Sequence, residues 1–536
     1  MNNRKYNIFF DLHTVSGIVI SAALYIIFFA GAFALFEHEI HEWEETHEQV
    51  TVMPQQYDGR VATLTLLDYD AVLEQLKNEG HYLSGRNISF MLTGTSDIIS
   101  VYLTGSSDSL ASEKDKESLP LTYDTVNKKF FTEESHFSLG HFLVELHYFE
   151  QLGDFGYYTA GVVSLLFLFA IITGVLVHWK KIISNFFVFR PWSKLKTVWT
   201  DAHTVLGLIG LPYQFLYAVS GAYFCLGILV YTPKMFLYDD NRQAYSKDFN
   251  LWPGFPAGEP TEDVPGINEY IENIREQWGD YQPTYVALSN YANTNMHVQI
   301  DGRLTTQERF FGLGTIIYKT ATNEVVKENN PYDIDYADQV AKSAYMLHFG
   351  EFRDMVSREA ELFYRMIYFL LAIITCFVII TGVLIWVTAR DKKGVSAKRK
   401  RFNETVGNSY LAICLSMFPV TAVGFLASKF LPESIHDNRE FVVSSIYFGL
   451  WLLLSLFFTF RKSNYFTNKY TLLSGSILGL LIPITNGIVT GNWFWHMLQI
   501  RQYNLFLIDF IWIILSVSGL FTVYKINKTQ QKKVHV

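Results

Sequence analysis

An imidazole at the edge of a long apolar run is a place where chemistry can happen, and this chain has such histidines in matched sets. His13-Thr14-Val15-Ser16-Gly17 opens one apolar run that ends near Gly31-Ala32, and His203-Thr204-Val205-Leu206-Gly207 opens another with Gly221-Ala222 at the same distance. Leu146-His147 and Leu347-His348 each stand shortly before a further run, one carrying Ile172-Thr173-Gly174-Val175-Leu176 and the other Ile380-Thr381-Gly382-Val383-Leu384. Ionisable groups at membrane depth are expensive and point to function by default. A twofold axis through a helix bundle would bring His13 to His203 and His147 to His348 across the core. Two facing imidazoles can ligate a low-spin haem from both sides. Two such pairs, one near each end of the bundle, would make an electron path across a membrane. Gly17 and Gly207, one turn after the first pair, would remove side-chain bulk where a porphyrin needs room. Asp11 and Asp201, two residues before each histidine, are candidate acceptors for the ring N–H groups.

Other residues compete for these roles. His178 stands at the end of the second apolar run, where the second repeat has Trp386, and could replace one member of the inner pair, with His13 or with His203. His38 and His41, spaced i, i+3 and accompanied by Glu37, Glu42 and Glu45, could hold a hard or borderline metal such as iron; the plainer reading is a charged helix end at the membrane exit. The plain reading of the four matched histidines is interfacial or satisfied core polar groups, and close helix packing accounts for the glycines equally well. His136 and His141 are weaker candidates, and His297, His436, His496 and His535 have no partner pattern. Cys225, Cys376 and Cys414 all lie in apolar runs and read as small buried hydrophobes. No Cys-x-x-Cys-His or Cys-x-x-Cys occurs.

The elements that must position these residues are mostly membrane helices. Half of the 536 residues are hydrophobic and 16% are aromatic, which indicates a membrane protein rather than a soluble enzyme. The net charge of −8, without a basic stripe outside the membrane flanks, excludes a nucleic-acid partner and leaves membrane lipids as the surroundings. Apolar runs predict helix 1 over 1–36, helix 2 over 157–179, helix 3 over 203–231 and helix 4 over 364–388, with four more helices in 406–536. Lys/Arg-rich loops at 180–202 and 389–405 place both termini in the cytoplasm by the positive-inside rule, so that 37–156 and 232–363 lie outside. Each outer segment reads as one small α+β domain. In the first, a helix over Leu67–Lys77 is followed by strands near Ile88–Leu92 and Ile98–Leu103 and a turn and strand at Tyr123–Asn127. In the second, the helix is Asn268–Gln277 and the strands are Tyr285–Leu288 and His297–Ile300, with a like turn at Tyr318–Asn323. Ser106–Ser118, charged and serine-rich, reads as a loose loop. The fold class is therefore a mainly α-helical polytopic membrane protein of about eight spans with two small periplasmic α+β domains and an internal duplication of its first four helices.

These motifs together resemble the PepSY-associated transmembrane family over about residues 1–390. The carrying features are His13-x-x-x-Gly17, the paired outer domains, Leu-His before helices 2 and 4, and Ile-Thr-Gly-Val-Leu. That family includes iron-regulated inner-membrane proteins and siderophore reductases. The resemblance implies a bacterial inner-membrane location, PepSY-like outer domains and two b-type haems held by His13, His203, His147 and His348. It also implies electron transfer outward to a ferric siderophore or similar iron chelate, with release of ferrous iron. The four C-terminal helices exceed the minimal pattern. No Gly-x-Gly-x-x-Gly follows a predicted strand, so the electron donor is expected to be membrane quinol or a cytoplasmic flavoprotein. Two other classes compete: an iron- or siderophore-linked transporter, favoured by Pro212, Pro419 and Pro483, and a regulatory or binding protein of the PepSY type without haem. Cofactor content separates them.

Overall fold

The computed structural model describes residues 3–46, 48–50, 67–92, 98–125, 127–132, 138–227, 236–238, 255–304, 312–334, 336–352, 356–392, 394–431 and 438–534. Val126, His136, His436 and His535, named above, lie outside the described residues. The first repeat comprises α1 (Asn3–Ala34), α2 (Glu37–Glu45), α3 (Tyr69–Asn78), β1 (Ile88–Leu92), β2 (Ile98–Leu103), β3 (Leu119–Asp124), β4 (Lys129–Thr132), α4 (Leu139–Tyr148) and α5 (Asp154–His178). The second comprises α6 (Leu195–Ile209), α7 (Leu211–Cys225), α8 (Ile267–Trp278), β5 (Tyr281–Ser289), β6 (His297–Leu304), β7 (Leu313–Lys319), β8 (Glu324–Asn329), α9 (Tyr336–Phe349) and α10 (Arg358–Arg390). A C-terminal unit follows: α11 (Ala397–Phe430), α12 (Arg439–Arg461), α13 (Asn464–Thr490), α14 (Phe494–Gln499) and α15 (Tyr503–Val534).

Among the described residues seven helices are long and apolar enough to cross a membrane, and an eighth span is formed if the bent pair α6–α7 is counted as one. This is a multi-pass membrane protein. The third apolar run, expected as one helix, breaks by 69° between α6 and α7. Pro212 sits in the first turn of α7, where its missing N–H is harmless, whereas inside a continuous helix its ring would clash with the preceding turn. Helix α1 has no proline and runs unbroken.

The two outer segments fuse into a single antiparallel sheet ordered β4-β3-β2-β1-β5-β6-β7-β8. The halves meet at β1 and β5, with Ile88 opposite Leu288 and Phe90 opposite Val286. A twofold axis between these two strands, perpendicular to the sheet, relates the repeats. Helices α3 and α8 lie on one face and cap each other across that axis. Asp70 accepts from the Ile267 backbone N–H at 2.7 Å, and Asn268 accepts from the Tyr69 N–H at 2.9 Å while donating to Asp68 at 2.7 Å. Tyr69, Leu76, Phe90, Val101, Ile274, Trp278, Val286 and Ile300 form the core beneath them. Two four-stranded halves thereby share one core.

Ser106–Ser118 is not a loose loop. Arg86, only 3% exposed, donates to the carbonyls of Thr104 and Glu117 and pairs with Asp115, while Tyr82 and Ser84 both donate to Asp108. A buried guanidinium needs these acceptors, and the segment is held in place by supplying them. Helices α2 and α4, although outside the long spans, belong to the bundle. Ile40, Trp43, Leu139, Leu143 and Leu146 join Phe28, Phe33, Phe369, Phe425 and Trp512 in its core.

Candidate functional site

The His13 ring, from α1, and the His203 ring, from α6, stand 6.1 Å apart between centroids, with planes at 69°. At the other end of the bundle the rings of His147 (α4) and His348 (α9) also stand 6.1 Å apart, with planes at 58°. Each pair takes one member from each repeat, as the twofold requires.

The repeated motifs explain how the rings are held. His13 Nδ1–H donates to the Ala170 carbonyl at 2.8 Å, and His203 Nδ1–H donates to the Val378 carbonyl at 3.0 Å. One turn on from each carbonyl comes the glycine of Ile-Thr-Gly-Val-Leu. A Cβ at Gly174 would lie 3.1 Å from His13 Cε1, and one at Gly382 would lie 3.3 Å from His203 Cε1. Any larger residue would press each ring a few tenths of an ångström away from the neighbouring helix. His147 follows the same rule: its Nδ1–H donates to the Ile27 carbonyl at 2.7 Å, and a Cβ at Gly31 would come within 2.5 Å of that nitrogen. His348 departs from it and donates to the Ser220 hydroxyl at 2.7 Å, whose own proton goes to the Leu216 carbonyl at 2.8 Å.

These partners fix the tautomer. A backbone carbonyl only accepts, so Nδ1 of His13, His147 and His203 carries the hydrogen, and His348 matches them with the Ser220 proton given to the Leu216 carbonyl. Every Nε2 therefore keeps its lone pair, and among the described residues none of the four has a hydrogen-bond partner there. That is the state of an imidazole prepared as a metal ligand, oriented through its other nitrogen. A metal–imidazole bond is about 2 Å and the ring centre lies about 1 Å further back, so two rings flanking one metal stand roughly 6 Å apart. Both pairs meet that spacing. A Cβ at Gly17 would meet nothing within 4 Å, and one at Gly207 would touch only Val378 at 4.0 Å. Space is open beside the inner pair. The residues fit a bis-imidazole group at both ends.

Three expectations are corrected. Asp201 does not serve a histidine; Arg190 engages its carboxylate at 2.9 and 2.7 Å, and Asp11 is exposed. His178 is not a member of the inner pair. Its Nδ1 faces the Asn185 amide at 3.1 Å and accepts, which puts the hydrogen on Nε2, the reverse of the other four. His38 and His41 are not gathered with carboxylates into a metal site, and among the described residues no group of three or more His, Cys, Asp or Glu side chains is disposed to hold one. Of the acids expected to help, Glu37 is engaged by His141 at 2.8 Å and Glu42 by Asn504 at 2.7 Å, and only Glu45 stays beside His41, at 3.4 Å. His297 stacks on Phe255 at 3.5 Å in the sheet domain, where burial lowers its pKa.

A family model described as PepSY-associated TM region matches residues 10–389. The chain belongs to the PepSY-associated transmembrane family. No curated protein matches it. The family region contains both repeats and all four paired histidines, and it ends at the last residues of α10. The C-terminal unit lies beyond it.

Sequence reasoning missed the buried ion cluster between α2 and α10 and its tie to this unit. Glu39, fully buried, is engaged by Arg358 and by Arg365, and Arg365 also pairs with Glu361 at 2.8 Å. Arg358 reaches Asn504 of α15 at 3.1 Å. Arg358, Glu361 and Arg365 recur at i, i+3, i+7 at the start of an apolar helix, which was the available signal.

Proposed function

We propose that this protein carries two b-type haems, one between His13 and His203 and one between His147 and His348, and passes electrons through the membrane to a ferric siderophore or similar ferric chelate. The observation that carries the reading is the fourfold Nε2-free tautomer at two pairs of the same spacing. Haem b, when bound, supplies a one-electron couple. The chain's own part is to hold the two Nε2 atoms of each pair opposite one another, to lock each ring through Nδ1, and to keep water out. The Ile27 carbonyl that anchors His147 lies 14 residues beyond His13, about 20 Å along α1. Phe28, Phe167, Tyr213 and Tyr217 fill the bundle between the pairs. The basic helix ends face the cytoplasm of a bacterial inner membrane and the sheet faces the periplasm, in keeping with the positive-inside rule. Quinol or a cytoplasmic flavoprotein supplies the electrons. Siderophores grip ferric iron through hard oxygen donors, and reduction to the softer ferrous ion loosens that grip.

The test is the visible spectrum of the purified protein, oxidised and reduced, with a pyridine haemochrome assay. About two haems b per chain and reduction of a ferric hydroxamate by the dithionite-reduced protein are expected. A protein that stays colourless after expression with added haem would end the proposal and leave transport or regulation in its place.

A further inference from the structure

The C-terminal unit carries a second functional arrangement, unconnected with the histidines. Helix α13 is apolar enough to span the membrane, yet Asn464, Thr467, Thr471, Ser476, Asn486 and Thr490 run along it from end to end, and all but Asn464 are buried. Polar groups in a spanning helix are normally satisfied within it or avoided. Thr471 and Thr490 follow that rule by bonding back one turn, but Ser476 does not. Ser476 and Ser516 (α15) each pack against a glycine of the other helix, Gly519 and Gly479. Among the described residues neither hydroxyl has a hydrogen-bond partner, nor does Ser416 of α11 or the Trp512 indole N–H, and all four residues are fully buried.

This stripe joins two polar ends. On the basic side, Asn464, whose Oδ1 is also without a partner, lines a cavity of about 360 Å³ with Asn403, Asn408, Arg390 and Lys462. On the sheet side stands Asp509, fully buried on α15, at i, i+3, i+7 with Trp512 and Ser516. Its partners are neutral: Trp43 Nε1–H at 3.0 Å and the Asn486 amide at 3.1 Å. Lys429 of α11, 4% exposed, donates to the Trp43 and Thr46 carbonyls at 2.5 and 2.7 Å, and among the described residues no ion pair joins it to Asp509. Glu44 of α2 completes the cluster. Its Oε2 accepts from Ser138 and the Leu139 N–H, and burial pushes its carboxyl up to about 7 against the opposing pull of those bonds and of Arg439.

We propose that the C-terminal unit binds protons and conducts them along this stripe, with Asp509 as the carboxylate that takes up and releases the proton at the sheet end. The proton forms an O–H bond on Asp509 and leaves by breaking it, passing to hydroxyls and internal water along α13 and α15, and no electron moves. A buried carboxylate whose hydrogen bonds come from neutral donors can take up a proton without breaking an ion pair, and the buried Lys429 ammonium stands close enough to interact with its charge. Hydroxyls both donate and accept, as a proton relay needs. The Lys429 ammonium disfavours a metal cation in the same cluster. The other charged or titratable groups around Asp509 are Glu39 and Glu42 on α2, engaged by arginines and by Asn504, Arg439 on α12, which donates to the Ser428 carbonyl, and His496 on α14. Ile482 and Pro483 stand in the stripe between Ser476 and Asn486.

The experiment uses the full chain in phosphatidylcholine–phosphatidylglycerol vesicles with an entrapped pH dye and a valinomycin-set potassium potential, with and without dithionite. Proton uptake several-fold above protein-free vesicles is expected. Asp509→Asn, which keeps an oxygen for Trp43, should bring it to the protein-free level with an unchanged gel-filtration profile. Should that variant fail to fold, the Ser476→Ala/Ser516→Ala double variant serves, and full conduction by it overturns the proposal. Wild-type flux no greater than in protein-free vesicles in both conditions, Asp509→Asn conducting as wild type, or flux that follows sodium at constant pH would each overturn it as well.

Discussion

Gly17 offers a substitution whose effect on the folded chain and on a bound group should have opposite signs. It lies one turn beyond His13 on the same helical face, and a Cβ there meets no atom within 4 Å. Replacing a helix-interior glycine by alanine favours the helix by about 1 kcal/mol. Nothing in the protein opposes that gain, so apo Gly17→Ala should unfold at the wild-type temperature or a few degrees above it. If the open space beside the inner pair is where a porphyrin lies, the added methyl meets the ring instead. A loss of tenfold in affinity, about 1.4 kcal/mol, is then a lower bound, and Gly17→Leu should abolish binding at that end. The assay combines haem titration of the apoprotein, the pyridine haemochrome ratio and thermal unfolding in detergent. Gly17→Leu should hold one haem, with the spectrum of the His147–His348 site retained. Two haems bound as in wild type would refute the assignment of that space. A destabilised apoprotein would refute the claim that no protein atom is there.

The other expectations follow from the same contacts. Gly31→Ala should strike the opposite end: a Cβ 2.5 Å from His147 Nδ1 forces the ring away from the Ile27 carbonyl, lowering haem content toward one per chain by loss of the outer haem. His147→Ala and His203→Ala should each remove one haem and abolish chelate reduction, whereas His178→Ala should keep both haems in the haemochrome assay. Arg365→Leu leaves Glu39, fully buried, with one arginine fewer and should cost about 3 kcal/mol or more, read as a lowered unfolding temperature in detergent. His141, bonded to Glu37, has its pKa raised above the ordinary value by that hydrogen bond, so its tie between α4 and α2 is fully present below about pH 6.5 and is lost as pH rises through the higher folded value. Protection factors in α4, taken relative to the intrinsic exchange rate at each pH, should fall across that rise in wild type and stay level in His141→Ala.

What was legible in the sequence was whatever the duplication repeated. The long helices α1, α5 and α10, strands β1 and β2, the helices over Tyr69–Asn78 and Ile267–Trp278 and the approach of His13 to His203 and His147 to His348 all follow from matching one half to the other, whereas the break in the third run does not. The fusion of the two outer sheets was not legible, because strand pairing between β1 and β5 is a contact between repeats and leaves no periodicity in either. The aspartate before each histidine misled for the opposite reason. Asp11 and Asp201 match in sequence, but the rings take their partners from α5 and α10, and Arg190 takes Asp201. The use of Gly174 and Gly382 was visible only as a repeated motif; that each seats an imidazole requires knowing which helix crosses it.

A twofold core offers two equivalent sides, and this chain treats them differently. The C-terminal unit covers the side formed by α1 and α10 and reaches α2 and α4. The opposite side, α5 with α7, exposes Phe155, Val162, Phe169, Phe215, Val219 and Tyr223 along its length. In a membrane that face needs only lipid, so the asymmetry does not come from apolar surface seeking cover. It comes from polar groups: Arg358, held by Glu39, reaches Asn504, which also donates to Glu42, while Trp43 donates to Asp509 and Lys429 donates to the Trp43 and Thr46 carbonyls. Their counterparts in the other repeat are absent: 190 residues after Glu39 and Glu44 stand Leu229 and Lys234, and the second span breaks at Gly210 instead of running straight. Buried charge, not hydrophobic burial, therefore dictates which side of the duplicated core the added helices occupy. Substituting Glu39 and Arg365 together by apolar residues of like volume should then leave the core folded and its histidine pairs intact while loosening the C-terminal unit, measurable as protease sensitivity confined to residues beyond α10. Protection of that region unchanged from wild type would mean that apolar packing holds the unit after all.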